Sequence, residues 1–120
     1  MQLKYNKQIK NKIITIELET ADFTREEETA MERFGEPVVK FEKVYPGGFP
    51  VNIEKKLKTG FKVRVKFDGT EDLLKATEAA NTFFEDIQEH LREELTQLMD
   101  KLHDHKFEFV PEKGSIIIKP

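Results

Sequence analysis

The chain has no cysteine, no tryptophan and one serine among its 120 residues. Without cysteine there is no disulfide framework, no thiolate metal site and no cysteine nucleophile. The one serine, Ser115, lies in a Gly-containing turn near the C-terminus with no nucleophile elbow around it, so serine catalysis has no support. Ten of the aromatic residues are Phe and two are Tyr; rings without a polar handle suit a core better than a reactive site. No apolar stretch approaches the ~18 residues of a membrane-spanning helix. The charged N-terminus has no apolar segment of the signal-peptide kind, and a cytoplasmic protein is expected.

What is present fits one folded domain over residues 1–120, with 38% hydrophobic and 36% charged residues. The net charge of −3 is unevenly spread. Residues 1–13 carry +4, 14–35 carry −5, 36–68 carry +4 and 69–104 carry −7. Such alternation makes a dipolar molecule rather than a uniformly basic one. Sixteen Lys against four Arg also argues against a surface built for bidentate phosphate or guanine contacts.

Residues 13–19 (IITIELE) alternate with a period of two, as a half-buried strand does. Residues 2–12 either extend that strand or form a basic arm. Thr24 followed by Glu27 has capping-box spacing and opens a short helix over 25–34, which Gly35 and Pro37 terminate. Residues 38–68 read as a three-stranded meander. With Lys58-Thr59-Gly60 as a hairpin loop, Leu57 opposes Phe61, Ile53 opposes Val65, Val51 opposes Phe67, and Glu54 faces Arg64. The turn through Pro46-Gly47-Gly48 then sets Tyr45 against Val51 and Val39 against Leu57. From residue 70 to 105 neither Pro nor Gly interrupts an apolar pattern at three- and four-residue steps, which indicates a long helix. The tail, residues 107–118, has the composition of a β-hairpin. The expected fold is α+β: a mostly antiparallel sheet of five or six strands, in the order β-α-β-β-β-α-β-β, packed on one long helix with one short helix.

Four features compete as functional sites. Lys40, Lys56, Lys62, Arg64 and Lys66 share one expected sheet face, a basic patch for nucleic acid, although Phe61 and Phe67 point to the other side and leave no stacking platform. Lys43 and Lys55 fall on the apolar face of the same register. Stems reaching over the core to water, pairing with helix carboxylates, or a cleft for an anion would each resolve them. The long helix, at ~1.5 Å per residue, outruns a domain of this size. It therefore either breaks near Asn81-Thr82 or overhangs and exposes Leu91, Leu95, Leu98, Met99 and Leu102. The overhang would be an association surface unless the C-terminal hairpin covers it. The histidines complete the set. His103 and His105 stand two apart and cannot share an ion on a helix, while His90 lies four residues from both Asp86 and Glu94.

With no covalent, phosphate-binding or metal motif, the expectation is a non-enzymatic interaction or assembly protein without a cofactor. It would form a homo-oligomer, a dimer first, or bind a protein partner through the apolar stripe of its long helix. The alternatives are a nucleic-acid-binding accessory protein using the basic sheet face, or an inhibitor that presents acidic helices to a basic target site.

Overall fold

The computed structural model describes residues 1–109, 115, 116, 118 and 119, with side chains described through His103. It is α+β, with antiparallel sheets, one short helix and one long helix. In chain order the elements are β1 (Gln2–Lys10), β2 (Ile13–Ala21), α1 (Arg25–Phe34), β3 (Val38–Tyr45), β4 (Phe49–Lys56), β5 (Lys62–Asp68) and α2 (Leu73–Phe109). Two two-residue strands follow, Ser115–Ile116 and Ile118–Lys119.

The undecided segment before residue 13 is a strand. Asn11 and Lys12 both take positive φ (53° and 62°), the two-residue type I′ geometry whose twist matches a hairpin. They pair β1 with β2 from Gln2–Ala21 to Lys10–Ile13. Gly69 is required beside this turn, since its N–H donates to the Lys12 carbonyl and a Cβ there would lie 2.8 Å from that oxygen.

The expected single sheet is corrected to five strands in two sheets, β1-β2-β5 and β3-β4. The partner of β5 is β2, with Ile14 opposite Phe67, Ile16 opposite Val65 and Leu18 opposite Val63. The physical reason lies in residues 57–61. The Glu36 carboxylate accepts from the amides of both Lys58 and Thr59, and the Pro37 carbonyl accepts from the Leu57 amide. Thr20 Oγ1 donates to the Leu57 carbonyl at 2.6 Å. A hairpin would need those backbone groups for its own ladder. Gly60, expected in the left-handed conformation, does not adopt it. The β3-β4 register also shifts by two residues, so Tyr45 faces Phe49 and Lys43 faces Val51. A shift of two preserves which face each side chain occupies.

Thr24 accepts from the Glu27 amide while the Glu27 carboxylate accepts from Thr24 N–H, completing the capping box of α1. Asp72 caps α2, its carboxylate accepting from Lys75 N–H. α2 runs 37 residues without a break at Asn81-Thr82, about 55 Å at the helical rise. It continues through Phe109, so residues 107–109, expected to open the C-terminal hairpin, are helical; residues 110–114, with the expected turn, lie outside the described residues.

The main core joins both sheets to α2 through Ile14, Leu18, Val39, Tyr45, Phe67, Phe83 and Ile87. A second cluster sets Ala30 and Met31 of α1 against Leu98 and Leu102 of α2. The alternative in which Leu91, Leu98 and Leu102 stand exposed is not the one the structure has. Leu91 is 1% exposed in the main core, Leu98 4% and Leu102 1%. α1 covers the late stripe, and Leu95 and Met99 are half-buried beside it. Leu98→Ala should therefore lower the free energy of unfolding by about 2–4 kcal/mol in urea titration. An unchanged midpoint would mean that α1 does not cover α2.

Candidate functional site

The sheet face turned away from α2 is polar, and its rows can be read straight across three strands. Lys4, Glu19 and Lys62 form one row, Asn6, Glu17 and Arg64 the next, and Gln8, Thr15 and Lys66 a third. Glu19 thus stands between Lys4 and Lys62, and Glu17 between the Asn6 amide and Arg64. Arg64 donates to Glu17 Oε2 from Nε (2.9 Å) and Nη2 (2.6 Å), and Asn6 Nδ2 donates to Glu17 Oε1 at 3.4 Å. These contacts, led by the Arg64 hydrogen bonds and charge, hold the Glu17 carboxyl below its ordinary value. A groove of about 640 Å³ runs along these rows, lined by Lys4, Asn6, Glu19 and Lys62 among others.

The five basic residues expected on one surface divide between the two sheets. Lys62, Arg64 and Lys66 lie on β5, whereas Lys40 and Lys56 lie on β3 and β4. Glu54, expected opposite Arg64, stands opposite Lys40 instead. Since β2 rather than β4 flanks β5, its glutamates dilute the cations, and no aromatic ring lies in the rows. Lys66 also lines a smaller depression of about 340 Å³ at the start of α2, shared with Lys75, Asp68, Glu71 and Asp72.

Lys43 and Lys55 do lie on the helix-facing side of β3-β4, opposite Val51 and Val39, and both are exposed. Lys43 combines a route to water with a carboxylate partner. Its ammonium sits 2.9 Å from Asp86 of α2 and 4.9 Å from the centroid of the Tyr45 ring. Tyr45, 1% exposed, donates to the same Asp86 oxygen at 2.7 Å. Burial would raise the Asp86 carboxyl, but the hydrogen bonds from Lys43 and Tyr45 and the Lys43 charge outweigh it and hold it below the ordinary value. Burial, then the Asp86 hydrogen bond and charge, push the Tyr45 phenol upward. One turn further along α2, His90 packs edge-on against Phe41 (5.6 Å between centroids), and its Nε2 is buried with no hydrogen-bond partner in the described residues. Asp86 serves Lys43 and Tyr45, not His90. The carboxylate–histidine relay that this four-residue spacing makes geometrically possible is not formed through Asp86. The Lys43–Asp86–Tyr45 group is a clamp between β3 and α2.

His103 pairs with Glu26 of α1 at 3.0 Å; the side chain of His105 lies outside those described. Among the described residues no three His, Asp or Glu side chains converge as a metal site would require. No helix among the described residues is long and apolar enough to cross a membrane.

What the sequence reading left open is β1. Among the described residues its backbone pairs with one strand, β2, Lys7 Nζ donates to Asn81 Oδ1 of α2 at 3.1 Å, and all seven of its residues past Leu3 are exposed. Tyr5 and Ile9, on the helix side, are each 59% exposed, and Tyr5 stacks on Phe84 of α2 at 4.4 Å. Beside it, Met1 and Leu3 meet Leu91, Arg92 and Leu95 around a cleft of about 230 Å³. The Leu3-x-Tyr5-x-x-x-Ile9 alternation was the available signal; three interspersed lysines masked it.

No family model, curated protein or solved structure matches the chain. Its function is therefore argued from its own geometry.

Replacing Asp86 by Asn tests the clamp. A carboxyl held low in the folded chain stabilises it above the unfolded value, 3.8 for Asp, and that contribution disappears as pH falls through the lower folded value. At about pH 7 the variant should melt a few degrees below wild type, as loss of about 1 kcal/mol would produce, discounted for the exposed Lys43. The gap should narrow as pH drops below about 4. A gap independent of pH would show that the carboxylate charge contributes nothing.

Proposed function

We propose that this chain is a small non-enzymatic interaction protein whose docking surface is the open edge of β1, with Tyr5 and Ile9 beside it. The supporting observation is that edge: a nine-residue strand with one backbone-paired neighbour among the described residues and two large apolar side chains at 59% exposure. An unpaired row of N–H and C=O groups is a template for another strand, and alternating side chains supply specificity. Leu98 and Leu102 of the late helix stripe are buried against α1, which supports the sheet edge over the stripe as the docking surface. Lys4, Lys7 and Lys10 along β1 act as guards against indiscriminate pairing and favour partners able to place polar or acidic groups opposite them.

The two alternative readings draw less support. Nucleic-acid binding would use Lys62 and Arg64 of β5, which face Glu19 and Glu17, and no observation beyond its charge favours the acidic helix as an inhibitory surface.

Selecting extended peptides from a displayed random library on the immobilised full chain tests the proposal without knowing the partner. Bound peptides should protect alternate β1 amides from hydrogen exchange, and Ile9→Arg should weaken them about tenfold or more. Peptides that leave β1 exchange unchanged, or a library that yields no binder, would overturn it.

A further inference from the structure

The sequence of β1 specifies one partner for that edge better than a generic peptide does. We propose that a second copy of this chain docks on it, β1 against β1, antiparallel about a twofold axis at Asn6. This inference rests on the reading of β1 as a docking edge and adds the identity and register of its occupant.

The argument is one of register. Two sheets keep their helices on the same side only if residues of equal parity face each other, because side chains alternate between faces. Three central symmetric registers satisfy this, with axes at Tyr5, Asn6 or Lys7. An axis at Lys7 sets Lys7 against its own copy and Lys4 against Lys10, stacking like charges directly across the pair. An axis at Tyr5 avoids that but sets Leu3 against Lys7. With the axis at Asn6, Leu3 faces Ile9, Tyr5 faces Lys7, Lys4 faces Gln8 and Gln2 faces Lys10. Apolar then meets apolar, each lysine meets an amide or an aromatic face, and no two lysines oppose one another.

The outer face supplies a second, independent match. Asn6 donates to Glu17, which is held in turn by Arg64. The Asn6 carbonyl oxygen and second N–H remain for the edge. Reflected through the axis, the row becomes Arg64–Glu17–Asn6–Asn6–Glu17–Arg64, an amide pair across the seam with each end buttressed by its own ion pair. Lys4 retains Glu19 of its own β2 opposite it, which offsets the charge that two basic strands bring together. A closed twofold contact of this kind also occupies both copies' β1 edges at once, so it stops at a dimer.

The absence of cysteine makes the test clean, since one introduced thiol is the only one present. In Asn6→Cys the two Cα atoms would lie about 4.5–5.5 Å apart, within disulfide reach. In Lys4→Cys or Gln8→Cys each thiol would sit four positions, about 13 Å, from its own copy. Mild oxidation of the full chain, checked as folded by circular dichroism, should link Asn6→Cys into a covalent dimer. Lys4→Cys and Gln8→Cys should each stay unlinked alone and form a mixed disulfide when combined. Wild type should sediment as a concentration-dependent monomer–dimer mixture. A wild type that stays monomeric up to millimolar concentration would overturn the second copy as partner, while peptides protecting β1 would leave the docking edge itself standing. A dimer in which Asn6→Cys does not link, or in which Lys4→Cys links to itself, would overturn this register. An open-ended series of larger species would overturn the twofold arrangement.

Discussion

Everything in this fold leans on Phe83. Its ring is fully buried on α2 and meets Phe41 and Tyr45 of β3 and Phe67 of β5, with centroids 5.8 to 6.4 Å apart. Those contacts are edge-to-face or tilted, the geometries that aromatic quadrupoles favour. They fasten two sheets that share no hydrogen-bonded strand pair to a single helix. With α2 as the common spine, β4 and β5 need not pair, and β5 is free to complete the sheet begun by β1 and β2. The Lys43–Asp86–Tyr45 clamp tightens the same seam from its outer side.

A spine of that length must be covered or exposed, and the chain divides the work. The main core buries α2 through Leu91, and α1 takes over at Leu98 and Leu102. This coverage alters the functional argument, because the most apolar surface in the sequence is used internally. The surplus appears instead at β1, where Tyr5, in contact with Phe84, and Ile9 are each 59% exposed. A chain that covers its long helix and leaves a regular edge strand unpaired presents hydrogen-bonding capacity rather than a greasy patch.

Local patterns in the sequence were sound guides, and long-range pairing was not. The alternation at 13–19, the Thr24–Glu27 box and the uninterrupted period of α2 each reflect forces acting within a few residues, and the structure has all three. Parity within β3, β4 and β5 was also readable, which is why Lys43 and Lys55 fall on the helix side as their positions imply. The partner of β5 was not readable. Lys58-Thr59-Gly60 carries the composition of a tight hairpin, but Glu36 and Thr20, distant in sequence, capture the backbone groups that a hairpin would use. The turn at Asn11-Lys12 was hidden for a different reason, since lysine stands at a positive-φ position usually given to glycine. The site followed the pairing: once β2 replaced β4 beside β5, the basic patch became a mixed-charge surface. The same β1 strand that resisted assignment is one of the edges left open.

The central claim is that association belongs to the β1 edge and not to the helix stripe. Amide hydrogen exchange on the unmodified chain, followed across a dilution series, measures both at once. Residues 91–102 should be equally protected at every concentration, because α1 and the core cover them within one chain, while protection of alternate amides in residues 2–10 should rise with concentration. Protection of 91–102 that appears only on concentration, with β1 unchanged, would contradict the account and return the interface to the long helix.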